Sequence, residues 1–214
     1  NQCNAVIAPS GSIKNILIRN GVRAPIEVIP SGIDLVPFHV PDRAKIRHAL
    51  RARYRLTSQD TVLLYVGRIS AEKNIEFLLR VFQRIHALKK NTYFMIVGDG
   101  PALHELQKFS DALGIQDKII FTGLVPHQDI PCYYAAADIF IHSSLSETQG
   151  LILVEAMASG LPVIAVAATG VSDIISPETT GIITPPSIED FVTATLRLIY
   201  NQEYRLLLGR QGTL

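Results

Sequence analysis

Four side chains in this sequence carry charge where a folded chain normally avoids it: Arg68, Lys73, Glu147 and Glu155. Arg68 leaves the tip of the apolar run 61–66, within Gly67-Arg68-Ile69-Ser70-Ala71-Glu72-Lys73-Asn74. Lys73 falls at the start of the amphipathic stretch that follows, and a helix N-terminus is already partly positive. Two cations at such a corner point to a multiply charged anion such as a diphosphate. An ion pair of Lys73 with Glu72 or Glu76 is the alternative that the spacing leaves open. Glu155 interrupts a helical stretch from about residue 150 that is otherwise apolar or small on every face. A buried carboxylate is costly unless something pairs with it. No Lys or Arg occurs between Lys118 and Arg197, so any cationic partner must come from elsewhere in the fold. A bound ligand offering two hydroxyls, as a ribose does, would also satisfy it. Glu147 stands eight positions earlier in a polar loop, from which it could reach a hydroxylated sugar ring ahead of the phosphates.

A third corner, Gly98-Asp99-Gly100-Pro101, has only part of a dinucleotide fingerprint, since Leu103 occupies the place of the third glycine. A helix cap using Asp99, with Pro101 at the first helical position, accounts for the pattern.

These corners need a scaffold that brings strand tips and helix starts together. Apolar, β-branched runs predict strands over residues 5–8, 26–29, 61–66, 93–97, 118–121, 139–142, 163–166 and 182–183. Most are apolar throughout, the mark of strands covered on both faces of a parallel sheet. Between them lie helical patterns. One runs from residue 75 to 89, with Ile75, Leu78, Leu79, Phe82, Ile85 and Leu88 on one stripe; another follows Pro101 and ends near Gly114. The alternation predicts a doubly wound α/β domain, a Rossmann-like parallel sheet. In such sheets ligands bind beyond the strands' carboxyl ends, where helix starts present free N–H groups.

Bulk properties narrow the function. The chain has 214 residues, 48% of them hydrophobic and 18% charged, and a net charge of +1, which argues against nucleic acid as a partner. No run approaches the ~18 apolar residues of a membrane span; residues 151–154 are cut short by Glu155. Cys3 and Cys132 have no metal-type spacing and read as two reduced thiols of a cytoplasmic protein. Residues 43–55 carry Arg43, Lys45, Arg47, Arg51, Arg53 and Arg55 and no acid. That run reads as a solvated helix face, or as a surface meeting another domain or an anionic membrane.

Gly67-Arg68 with Lys73, followed by Glu147 and Glu155, resembles the donor domain of the family 4 retaining glycosyltransferases. Residues 97–101, 121–125, 133–138 and 160–163 agree with it, and the likeness runs from about Pro30 to the C-terminus. The resemblance implies the C-terminal half of a GT-B glycosyltransferase, with residues 31–214 as the nucleotide-sugar-binding domain. Residues 1–30 would be a remnant of the N-terminal acceptor domain and its linker. It implies transfer of a hexose from a nucleoside-diphosphate sugar, of UDP-glucose type, to an acceptor hydroxyl with retention, by a chain inactive without its acceptor half. Arg68 and Lys73 would hold the diphosphate, Glu155 the ribose and Glu147 the hexose. Backbone N–H groups of Gln149, Gly150, Leu151 and Ile152 would add contacts, Gly123, Leu124 and Val125 would line the base, and Gly67, Gly98 and Gly100 would complete the donor site. No metal or other cofactor is implied, and no Asp-x-Asp signature occurs. Segments 126–131 and 146–150 resemble bacterial diacylglycerol glucosyltransferases, implying a lipid or glycan acceptor at the inner face of a membrane. The chain departs from the family at Gln149, where Phe is common, and at Ser172-Asp173, where Pro-Glu is usual. An epimerase or phosphorylase of the same fold, or a non-catalytic nucleotide-sugar-binding module, is the alternative reading.

Overall fold

The computed structural model describes residues 3–213. In chain order these form β1 (Val6–Ala8), α1 (Gly11–Arg19), β2 (Ile26–Val28), α2 (Arg43–Arg53), β3 (Thr61–Val66), α3 (Ile75–Leu88), β4 (Thr92–Val97) and α4 (Leu103–Ala112). There follow β5 (Ile119–Gly123), α5 (Ile130–Ala136), β6 (Ile139–His142), α6 (Leu151–Ala158), β7 (Val163–Val166), β8 (Ile182–Thr184), α7 (Ile188–Tyr200) and α8 (Gln202–Gly212). Every strand expected from an apolar run is present, with ends shifted by two residues at most.

Strands β3 to β8 make one parallel sheet in the order β5-β4-β3-β6-β7-β8. Parallel neighbours need crossover connections, which here carry helices except between β7 and β8, and the helices cover both faces. Side chains of β3 alternate accordingly. Leu63 and Tyr65 enter a core shared with Phe82 of α3, Phe94 and Phe191 of α7. Val62, Leu64 and Val66 enter a second core with Tyr134 of α5, Phe140, and Leu153 and Ala156 of α6. Burial on both sides is the reason the strand shows no polar alternation. In α3 the stripe from Ile75 to Ile85 is buried, whereas Leu88, at its last residue, is 63% exposed.

Beyond β3 the chain turns to β4 on one side, while β6 lies on the other. The helices that follow β3 and β6, α3 and α6, pack on opposite faces. A crevice therefore opens beyond the carboxyl ends of β3 and β6, the topological switch point at which open α/β sheets bind ligands. All three corners that the sequence marks border it, the one after β4 through Gly98 and Asp99.

The basic run 43–55 is a free surface only in part: Lys45, Arg53 and Arg55 are exposed, as a solvated face would be, while Arg43, Arg47 and Arg51 are covered. Helix α2 lies against α5 and turns Arg47 and Arg51 toward it. Arg51, 4% exposed, donates to the carbonyls of Ala136, Thr57 and Asp60 and pairs with Asp138 at 2.6 Å. Arg47 donates to the Ala136 and Ala137 carbonyls and pairs with the other oxygen of Asp138, also at 2.6 Å. The charges thus neutralise a carboxylate and the negative C-terminal end of α5, where cations are favoured. A composition-based reading misses this because the acid sits some 90 positions away.

Strands β1 and β2 pair with each other in a separate parallel sheet, joined by α1. Ile7, Ile18 and Ile29 of this unit are more than half exposed.

Candidate functional site

The corner after β3 is built on glycines that bring strand tips close together. Gly67 and Gly98 have φ of 145° and 139°, in the region that strains L side chains. A Cβ on Gly98 would collide with the Gly67 carbonyl oxygen, and one on Gly100 with that of Ile69. Gly67 N–H donates to Val97 and Ile69 N–H to Asp99, closing the two tips into one wall. The expected helix cap is absent: Asp99 accepts from the adjacent Gly100 N–H, Pro101 lies in a turn, and α4 begins only at Leu103.

Lys73 ends a single 3-10 turn, and Asn74 in a left-handed conformation leads into α3. Its partner is neither Glu72 nor Glu76 but Glu147, at 3.3 Å. The turn is stitched to the tip of β6 by Ser143, fully buried, whose hydroxyl lies 2.9 Å from the carbonyls of Lys73 and Asn74. This serine fixes where Lys73 stands, and the pair of sequence corners is thereby one structure.

Glu147 follows β6 in the loop 143–150. Its Oε1 accepts from the backbone N–H groups of Thr148 and Gly150, each at 3.3 Å, and its Oε2 faces Lys73. His142 Nε2 lies 3.5 Å from Oε2, an electrostatic contact rather than a formed hydrogen bond, since neither ring nitrogen has a hydrogen-bond partner among the described residues. The His142 ring, then Lys73 and the Gly150 N–H, overcome partial burial and hold the Glu147 carboxyl down at about 2. It is a carboxylate at neutral pH. The loop is backed by Gly170, whose N–H donates to the Glu147 carbonyl at 2.8 Å. A Cβ on Gly170 would press on the backbone of residues 147–149.

Helix α6 starts after Gly150, which takes the left-handed conformation, and no side chain caps it. The N–H groups of Leu151 and Ile152 therefore remain available beside the loop, while that of Leu153 donates to the Gly150 carbonyl. One turn in, Glu155 accepts from the hydroxyl of the fully buried Tyr134 at 2.9 Å. Its partner is neutral, not the cation that a buried carboxylate would prefer. Desolvation accordingly raises its pKa, against the smaller opposing effects of Tyr134 and His127.

Two adjoining cavities result. One, of ≈ 250 Å³, is lined by Tyr65, Gly67, Arg68, Lys73, His142, Glu147, Thr148, Gln149, Leu151 and Ile152. The other, of ≈ 430 Å³, is lined by Val66, Gly67, Arg68, Val97, Gly98, Asp99, Leu124, Val125, His127, Ile130, Ile152 and Glu155. Arg68 borders both, and among the described residues its guanidinium is in no ion pair. The sequence-marked residues Gly100, Gly123 and Gly150 stand outside the linings and shape the walls from behind. His142, Ser143, Tyr134 and Gly170 are additions that sequence reasoning missed. A histidine and two serines ending an apolar strand were a readable signal; Tyr134 and Gly170 act through folding contacts that no spacing shows.

The family model described as "Glycosyl transferases group 1" matches residues 46–213. The chain belongs to the group 1 glycosyl transferases. Within this family it is 39% identical to the alpha-monoglucosyldiacylglycerol synthase of Streptococcus pneumoniae, over 76% of this chain and 37% of that protein. It is 30% identical to a GDP-mannose-dependent alpha-(1-6)-phosphatidylinositol monomannoside mannosyltransferase of Mycobacterium tuberculosis, over 90% of this chain and 51% of that one. The chain thus spans between about a third and a half of these curated relatives' length. Its fold matches the crystal structure of Anabaena HepE in complex with UDP and glucose, with a TM-score of 0.89 at 23% identity, covering 99% of this chain and 57% of the other. The architecture is that of the C-terminal half of a GT-B glycosyltransferase, as the resemblance implied. Among the described residues no helix is long and apolar enough to cross a membrane.

Proposed function

We propose that this chain binds a nucleoside-diphosphate sugar across the two cavities and supplies the donor side of a retaining hexosyl transfer to an acceptor hydroxyl. The observation that carries this reading is the division of labour around Arg68. A free guanidinium stands between a cavity containing Glu147 and a cavity containing Glu155. A ligand with a hexose at one end, a ribose and base at the other and two phosphates between them has the matching charge order. Glu155, short of a cationic partner, would accept from the ribose hydroxyls, and Leu124 and Val125 would flank the base. Glu147 would accept from the hexose.

As the bond between hexose and diphosphate breaks, negative charge grows on the departing phosphate. Arg68, Lys73 and the uncapped start of α6 are in place before that charge develops, which is electrostatic stabilisation of the transition state. No side chain at the site is a convincing covalent nucleophile. The resemblance to the retaining family favours attack from the same face as departure, the diphosphate oxygen taking the acceptor's proton. UDP-glucose is the proposed donor, and the likeness to alpha-monoglucosyldiacylglycerol synthases favours a lipid hydroxyl as acceptor at a cytoplasmic membrane face. Residues 31–214 would form the donor domain and 1–30 the passage to an acceptor domain, so this chain alone would bind donor without transferring sugar.

Calorimetry of the chain against UDP, GDP, ADP and UDP-glucose tests this. Saturable binding of UDP and UDP-glucose, with no transferase activity, is expected. Binding to none of the four would overturn the reading, and a preference for GDP would reassign the base.

A further inference from the structure

His142 has no part in the function so far. It ends β6, is 1% exposed, and packs its ring parallel to that of Tyr65, centroids 6.5 Å apart and planes 7° from coplanar. Packing alone gives no reason for an imidazole here, because an apolar ring would stack as well and would bury no polar nitrogen. Both of its nitrogens are buried without a hydrogen-bond partner among the described residues, a costly arrangement in a protein interior. Nε2 nevertheless points at one place, the Glu147 oxygen that also faces Lys73.

That shared oxygen creates a conflict. If Lys73 engages the phosphates of a donor, Glu147 loses its one cationic partner just when it must hold its position against the hexose. The backbone N–H groups of Thr148 and Gly150 hold only the other oxygen. We propose that His142 is a positioning residue for Glu147: its Nε2–H takes the Oε2 that Lys73 gives up and keeps the carboxylate turned into the hexose cavity. A closure of a few tenths of an ångström turns the 3.5 Å contact into a hydrogen bond. The neutral Nε2–H tautomer suffices, so no charge need be buried on the ring. The charged or titratable groups around it are Glu147 in its own loop, Lys73, Glu72 and Arg68 from the segment after β3, and Tyr65 from β3. Burial, then the charges of Glu147 and Glu72, keep the Tyr65 hydroxyl protonated, so it does not compete as an anion. This inference deepens the proposed donor site and rests on it for its consequence, though not for its geometry.

The test uses the chain as it is, with His142→Phe, which keeps a stacking ring but no N–H, and His142→Gln, whose side-chain NH₂ reaches the Nε2 position. Two readouts separate the ideas. Carbon-13 NMR titration of the Glu147 carboxyl needs no ligand: it should titrate low in the wild type, higher by about a unit in His142→Phe, and low again in His142→Gln. Calorimetry should show UDP-glucose binding weakened about tenfold in His142→Phe, largely rescued in His142→Gln, with UDP affinity the same in all three. A Glu147 titration unmoved by His142→Phe, an absence of rescue by Gln, or an equal loss for UDP and UDP-glucose overturns the positioning role. If the wild type binds no nucleotide while the titrations behave as expected, the donor reading falls and the His142–Glu147 contact stands. Should His142→Phe fail to fold, His142→Leu carries the same comparison.

Discussion

At the level of single residues, the site separates groups that look alike in the sequence. Arg68 and Lys73 are both cations at one corner, but only Lys73 is already paired, with Glu147. Replacing Arg68 by Ala is expected to weaken UDP binding roughly ten- to a hundredfold, as a charged hydrogen bond contributes about 1.5–3 kcal/mol. Uridine binding should barely change. Lys73→Ala should cost UDP affinity on the same scale and also release Glu147, so its loss with UDP-glucose should exceed its loss with UDP. Equal losses for UDP and uridine in calorimetry would show instead that these side chains support folding. The two glutamates diverge further. Glu147 is held well below the usual carboxylate range, whereas Glu155 is shifted upward from its ordinary value, mainly by desolvation. A carboxyl with a raised folded-state pKa favours the fold below its ordinary pKa and loses that contribution as pH rises through the folded value. Glu155→Gln, which can keep the Tyr134 contact, should therefore melt at the same or a higher temperature than the wild type at pH 7. The difference should vanish at pH 4. The same variant should bind UDP more weakly, with the deficit shrinking against 2′,3′-dideoxy-UDP. A variant that is both less stable at pH 7 and unimpaired for UDP would remove Glu155 from the site.

At the level of elements, the six strands and their crossovers were legible because burial on both faces leaves an unbroken apolar run, and such runs need no long-range information to read. The paired glutamates were legible because a lone acid on an apolar helix is conspicuous. What stayed hidden depends on contacts between distant segments: the inward turn of the α2 arginines onto α5 and Asp138, the Ser143 stitch, and the support of the 147–149 loop by Gly170. Two substitutions distinguish scaffold from site at this scale. Arg51→Ala breaks a buried pair and leaves Asp138 and several carbonyls with fewer donors. It should cost about 3–5 kcal/mol of stability while leaving the folded fraction's UDP-glucose affinity unchanged. Gly170→Ala pushes a methyl group against the backbone of residues 147–149. Such overpacking costs roughly 1–3 kcal/mol in stability. Because the pressure falls on the Glu147 loop, UDP-glucose affinity should drop more than UDP affinity. Chemical denaturation and calorimetry on both variants check the contrast, and an affinity loss in Arg51→Ala matching that in Gly170→Ala would erase it.

For the whole molecule, the question is whether the β1–α1–β2 unit belongs to the same cooperative body as the six-stranded sheet. Among the described residues its strands pair only with each other, and three of its isoleucines face solvent. Among the same residues two side-chain hydrogen bonds tie it to the rest: Gln149 Nε2 donates to the Pro9 carbonyl at 3.3 Å, and Ser12 Oγ donates to Asp173 at 2.9 Å. Each bond contributes about 1 kcal/mol, the Ser12 bond less because it is exposed. The two cores on either side of the main sheet, by contrast, draw on β3 to β8 and their helices and, among the described residues, include nothing before Leu35. Deleting residues 1–30 should therefore leave a cooperatively unfolding protein whose melting temperature falls by only a few degrees, the shift expected for about 1–2 kcal/mol in a domain of this size. UDP affinity should survive, since Arg68, Lys73 and Glu155 are all held by the main sheet. UDP-glucose affinity should fall modestly, because the Gln149 tie beside Glu147 is gone, and Gln149→Ala in the intact chain should reproduce that part of the loss. A truncated chain that no longer melts cooperatively would show that the N-terminal unit is an integral layer of the fold, and the boundary near residue 30 would have to move.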